Sequence, residues 1–140
     1  MQVEELNVLT DRVRVLTQGE ATAGRYEVFE VLGAAGGGAP LHRHPWDEEF
    51  HVVEGTVDVL IGDSCQTCGV GQSLRVPAGV VHGFRVGPAG AKFLAVTSPD
   101  GASGLFRALH RASSRGPLTA ADVVQIASQH GVDVPPPPSR

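Results

Sequence analysis

Three histidines and one glutamate in this chain stand at spacings that suit them to hold a metal ion. His42-Arg43-His44 alternates, so on a β-strand both imidazoles project to one face. Pro45-Trp46-Asp47 interrupts that strand and Glu48 restarts it, which lets the carboxylate return toward the two rings. His82 follows the turn Pro77-Ala78-Gly79, on what would be a neighbouring strand. Imidazole and carboxylate together suit one divalent transition ion: Fe, Mn, Ni, Zn or Cu. Such a set on rigid strands leaves coordination positions open, as a catalytic metal needs and a structural zinc lacks. Taken singly, the His-x-His pair recurs by chance, and His82 could be an ordinary core histidine. The glycines and prolines that frame them decide the matter.

The elements that would position these residues are short strands punctuated by glycine and proline. Val13–Leu16 and Arg25–Leu32 are strand candidates, the second rich in β-branched and aromatic residues. Glu48–Glu54 and Thr56–Ile61 flank Gly55, read as a hairpin turn. Ser73–Val76, Val81–Val86 and Lys92–Thr97 follow, separated by Pro77-Ala78-Gly79 and Gly87-Pro88-Ala89-Gly90. Regular turn spacing with little helical periodicity indicates an all-β sandwich or barrel over residues 1–100. Over residues 101–134 the pattern becomes helical, with Leu105, Phe106 and Leu109 on one face of a helix starting near Ser103. Gly116-Pro117 breaks it, Thr119-Ala120-Ala121-Asp122 has the form of a capping box, and Gly131 suits the position just past a second helix. The two helices are expected to flank or lid the barrel, and the proline-rich residues 135–140 to form an extended tail.

The framing residues resemble the two signature motifs of the cupin superfamily. The first, G(X)5HXH(X)3–4E(X)6G, is matched by Gly36, His42, His44, Glu48 and Gly55. The second, G(X)5PXG(X)2H(X)3N, is matched by Gly71, Pro77, Gly79 and His82, with Val86 in place of the asparagine. That asparagine is not usually a metal ligand, so its loss leaves the donor set intact. The stretch from His42 to Phe50 and the two-helix tail are also similar to small single-domain bacterial cupins. The resemblance implies a double-stranded β-helix (jelly-roll) barrel, all-β, with two short C-terminal helices. It also implies a homodimer and a metal ion inside the barrel, held by His42, His44, Glu48 and His82.

Strand parity puts Phe50 and Val52 on the ligand face and Glu49, His51 and Val53 on the other. From His82, Phe84 and Val86 point inward and Arg85 away. Phe50, Phe84 and Trp46 are therefore the candidate substrate contacts in a largely apolar pocket, with plain barrel packing as the alternative for each. His51 is expected outside the metal shell, and His110 and His130 on the helices, solvated or at helix ends. Cys65-Gln66-Thr67-Cys68 has CxxC spacing but lacks both the helix start of a redox pair and a second CxxC for zinc.

The net charge of -4 and a single lysine, Lys92, give no basic groove for nucleic acid and no attraction to an anionic membrane. No apolar run approaches the ~18 residues of a membrane span. The acidic start Met-Gln-Val-Glu-Glu lacks the features of a signal peptide, so a cytoplasmic location is expected. The partner is then a small molecule. Dioxygenase-type chemistry on a phenolic, enediol or diketone-like substrate is the expected activity, with Glu48 as ligand or transient base. An isomerase, cyclase or decarboxylase, or a non-catalytic binding cupin, are the alternatives, since one fold hosts many reactions.

Overall fold

Alternation of apolar and polar residues builds the interior face strand by strand in the computed structural model, which describes residues 3–136. Strands β1 (Glu4–Val8), β2 (Asp11–Thr17), β3 (Glu27–Gly33) and β4 (Gly38–His42) precede the long β5 (Asp47–Ile61). Then come β6 (Ser64–Cys68), β7 (Ser73–Val76) and the long β8 (His82–Ser98). All pair antiparallel in the order β1-β2-β3-β8-β5-β6, with β4 beside β8 and β7 beside β5.

The β5–β8 ladder is the spine, running from Asp47 opposite Ser98 to Ile61 opposite His82. The first half of β5 takes β7 on its free edge, and the second half takes β6. In the same way β8 takes β3 along residues 91–97 and β4 near its start. Each long strand thus passes from one sheet into the other, and the result is the expected jelly-roll barrel with two helices.

Two expected turns are absent. Gly55 lies inside β5, not at a hairpin, and Gly87–Gly90 lies inside β8. The inward residues of β5 are Phe50 and Val52, then Val57 and Val59, so the alternation slips by one residue between the pairs. Irregularities at Val52/Glu54 and Gly55/Val57 absorb the slip as bulges. Gly55 has φ +75°, and any side chain there would collide with the Gly90 carbonyl. In β8 the inward set likewise shifts between Val86 and Ala91.

Helix α1 (Ala102–Ser113) starts one residue before the expected Ser103, and α2 (Ala120–Gln129) follows. The capping box forms as read. Thr119 Oγ1 accepts from the Asp122 N–H at 3.1 Å, and the Asp122 carboxylate accepts from the Thr119 N–H at 2.9 Å. Gly131, with φ +75°, turns the chain past the end of α2. Pro135 and Pro136 have no regular structure, and the rest of the proline tail lies outside the described residues. Among the described residues no helix is long and apolar enough to cross a membrane.

Gly101, at the start of α1, has no side chain to cap it, and β3 supplies the cap instead. The Glu27 carboxylate, 1% exposed, accepts from the N–H groups of Gly101 and Ser103 at 3.1 Å and of Gly19 at 3.2 Å. A carboxylate among helix-start N–H groups is favoured by both hydrogen bonding and the helix dipole. Glu27→Gln puts an amide N–H where an acceptor is needed and should lower stability by about 2 kcal/mol. Urea unfolding of both proteins checks this, and coincident curves would exclude the role. At its other end α1 is tied to β1. The Asn7 N–H donates to His110 Nδ1 at 2.9 Å, and Arg107 clasps Glu4 at 3.0–3.2 Å.

Candidate metal centre

The four motif residues come from neighbouring segments of one end of the barrel. His42 closes β4 and lies opposite His82, the first residue of β8. His44 sits in the loop after β4, and Glu48 is the second residue of β5. The rings of His42, His44 and His82 have centroids 4.3–5.4 Å apart. Their ligating nitrogens all lie within 4.8 Å of one another, so the three could hold a metal ion. The Glu48 carboxylate joins them, with Oε1 at 3.3 Å from His82 Nε2 and 3.6 Å from His44 Nε2.

Backbone carbonyls set the tautomer of each ring. Nδ1 donates to Pro40 O at 2.7 Å in His42, to Trp46 O at 2.9 Å in His44 and to Val80 O at 2.8 Å in His82. A carbonyl only accepts, so Nδ1 carries the proton and Nε2 keeps its lone pair. The His44 Nε2 is buried and has no hydrogen-bond partner. Three nitrogen lone pairs thus converge with the Glu48 carboxylate beside two of them, and these groups repel unless positive charge lies between them. A divalent cation satisfies the set, and the second ring nitrogens are anchored as metal-bound histidines require.

The electrostatics agree. Burial, then the proximity of His82, pushes His42 down to about 4, so it is neutral at pH 7 and able to ligate. Burial pushes the Glu48 carboxyl up, but with protons in place of an ion on His44 and His82 Nε2, their hydrogen bonds and charge outweigh it and hold it at about 2. Glu48 is therefore an anion at any ordinary pH.

Beside this cluster lies a cavity of about 110 Å³, with His42, His44 and Glu48 in its lining. Trp46, Phe50 and Phe84 all line it. Trp46 is 4% exposed and stacks on His44 with centroids 4.5 Å apart and planes 13° apart, so it packs in the barrel end and faces the cavity at once. Phe50, Phe84 and Phe93 meet edge to face at 5.5–6.0 Å. Leu105, Phe106 and Leu109 of α1 and Ala127 of α2 close the rest, which makes the helices a wall of the cavity. Asp11 also lines it, a residue that the sequence reading passed over.

The remaining candidates stand apart. His51 is exposed on the outer face, its Nδ1 2.7 Å from Ser73 Oγ. His110 lies in the last turn of α1 and His130 caps the end of α2. Cys65 and Cys68 are free, one exposed and the other buried. Three positions apart on β6, they point to opposite faces and cannot share a metal or form a pair.

Residues 29–97 match the family model described as a cupin domain, so the chain carries a cupin domain. No curated protein matches it. Among solved structures, an RmlC-like cupin from Shewanella frigidimarina is similar with TM-score 0.63 at 22% identity, covering 71% of this chain and 86% of the other. Oxalate decarboxylase from Bacillus subtilis, described with Mn(II) centres, gives TM-score 0.63 at 21% identity over 70% of this chain. This chain spans only 28% of that enzyme. At such identities the likeness is one of fold. The polyketide cyclase RemF from Streptomyces resistomycificus gives TM-score 0.61 at 26% identity, covering 71% of this chain and 75% of its own.

Proposed function

We propose that this cupin is a metal-dependent enzyme acting on a small organic molecule, with one divalent transition ion held by His42, His44, Glu48 and His82. The observation that carries the reading is the convergence of three carbonyl-anchored imidazoles and one buried carboxylate beside an apolar cavity. Bound there, such an ion supplies Lewis acidity and, if redox-active, a route to O2 chemistry. The chain's own residues do the rest. Trp46, Phe50 and Phe84 hold the substrate's apolar body and exclude water, which strengthens every charge interaction inside. Glu48, ionised beside the cavity, can take the proton of a substrate hydroxyl or enol.

Size narrows the substrate. An apolar protein cavity of roughly 150 Å³ takes benzene, so about 110 Å³ leaves room for nothing larger than a single small ring or a short diketone. Dioxygenase-type chemistry on a catechol or diketone is the first reading. Fe(II)-, Mn(II)- and Ni(II)-loaded protein should consume O2 with catechol or acetylacetone, and Glu48→Gln should slow this by about 100-fold or more. A flat oxygen trace with every pairing removes the oxygenase assignment. The similarity to RemF favours a second, non-oxidative reading, cyclisation of a short polyketide-like chain. Turnover of such a chain in the absence of O2 would establish it.

A further inference from the structure

Asp11 opens β2 on its interior face, in step with Val13 and Val15. It is 8% exposed, and its Oδ1 is buried with no hydrogen-bond partner. Its side chain lines the same cavity as His42, His44 and Glu48. Among the described residues it makes no ion pair. Arg14 on the same strand pairs with Glu5 and Glu30, and Lys92 with Glu54. Nor does it hold the turn before β2, where the polar contact is made by Thr10, whose Oγ1 accepts from the Gly38 N–H.

A buried carboxyl without a partner costs free energy whether neutral or charged. Burial pushes the Asp11 carboxyl up to about 7, and none of the four donor residues hydrogen-bonds it. Asp11 is therefore a second polar point in an otherwise apolar cavity, separate from the donor cluster. Unsatisfied groups facing a pocket are where a ligand's polar atoms go. A carboxyl that is partly neutral at pH 7 can both donate to and accept from a hydroxyl, whereas an ammonium group would need it fully ionised.

We propose that Asp11 is a ligand-binding residue whose carboxyl hydrogen-bonds a hydroxyl on a ring-sized, apolar ligand in this cavity. The proposal rests on the reading of the cavity as a small-molecule site. It fixes the ligand class as hydroxylated rings, recognised at a point other than the metal donors.

Phenol and toluene are the probes, since a methyl replaces the hydroxyl at nearly equal size. Titration calorimetry on the protein as purified should show phenol binding about tenfold more tightly, the worth of one hydrogen bond. Asp11→Leu should abolish that preference without weakening toluene, and Asp11→Asn should keep most of it. Metal content, measured alongside, should be the same in all three proteins. A phenol preference that survives Asp11→Leu would overturn the assignment, as would tighter binding of benzylammonium than of phenol. Equal binding of phenol and toluene by the wild type sinks the role of Asp11 but leaves the cavity a small-molecule site. Binding of neither sinks both.

Discussion

The wild type is expected to purify with a bound metal ion, and His82→Ala and His42→Ala without it. His82 is 1% exposed, with Nδ1 fixed on the Val80 carbonyl and Nε2 facing Glu48 at 3.3 Å. The other two imidazoles flank it at centroid distances of 4.3 and 4.7 Å. Loss of an outer-sphere partner in a metal site typically costs about 10–100-fold in affinity. Loss of a direct nitrogen donor should exceed that. Elemental analysis of protein purified without added metal measures the outcome, with circular dichroism to confirm that each variant is folded. Wild-type metal content in both folded variants would remove the central claim. The same preparations should lose all metal-dependent turnover, whichever reaction the cavity supports.

Asp11→Asn is expected to make the protein more stable in alkaline solution while leaving acid stability almost unchanged. Burial lifts the Asp11 carboxyl from 3.8 to about 7 in the folded chain. A raised folded value means that the native state binds the proton more tightly than the unfolded chain does. Its contribution is fully present below 3.8 and is lost as pH rises through about 7, beyond which the native state carries a buried, unpaired anion. At about 1.4 kcal/mol per unit, the penalty above neutrality is on the order of 4 kcal/mol. Asparagine keeps the shape and removes the charge, but its amide is still buried, so a gain of roughly 2–4 kcal/mol near pH 8.5 is expected. Denaturant unfolding of both proteins near pH 4 and near pH 8.5 tests this. An equal difference at the two pH values would show that Asp11 is not held in a desolvated site. A residue retained against its own stability cost is the pattern of a functional group.

The donor set was legible because chemistry and geometry both leave marks in the chain. His42 and His44 share strand parity, and Gly36, Gly55, Pro77 and Gly79 stand at fixed intervals around them. The course of the long strands was less legible. Between Val52 and Val57, and between Val86 and Ala91, inward positions change parity beside a glycine. A parity break with glycine is what a turn produces, and also what a bulge in a continuous strand produces. Only the partner strand distinguishes them, and one chain segment read alone does not show its partner. Asp11 was missed for a related reason. The strand was read from Val13, where the apolar alternation becomes plain, although the same alternation carried two residues back places Asp11 inside. An acid beside Thr10 looks like a turn residue, and its burial depends on β3 and the helices closing over it. The part that α1 and α2 play as cavity walls was open to view only as amphipathic helices awaiting a surface.

Glu48 and His82 sit on two strands that hold each other along nearly their whole length, with β3, β4, β6 and β7 hydrogen-bonded outside them. Backbone in the middle of such a ladder opens only when the molecule opens as a whole, whereas edge strands and helix ends fray on their own. Yet Glu48 and His82 stand at the ends of these strands, His42 ends β4 and His44 lies in a loop, so the donors occupy the part of the ladder that opens first. Parting the donors then needs only a local opening of this barrel end, so an ion held there would exchange while the middle of the barrel stays folded.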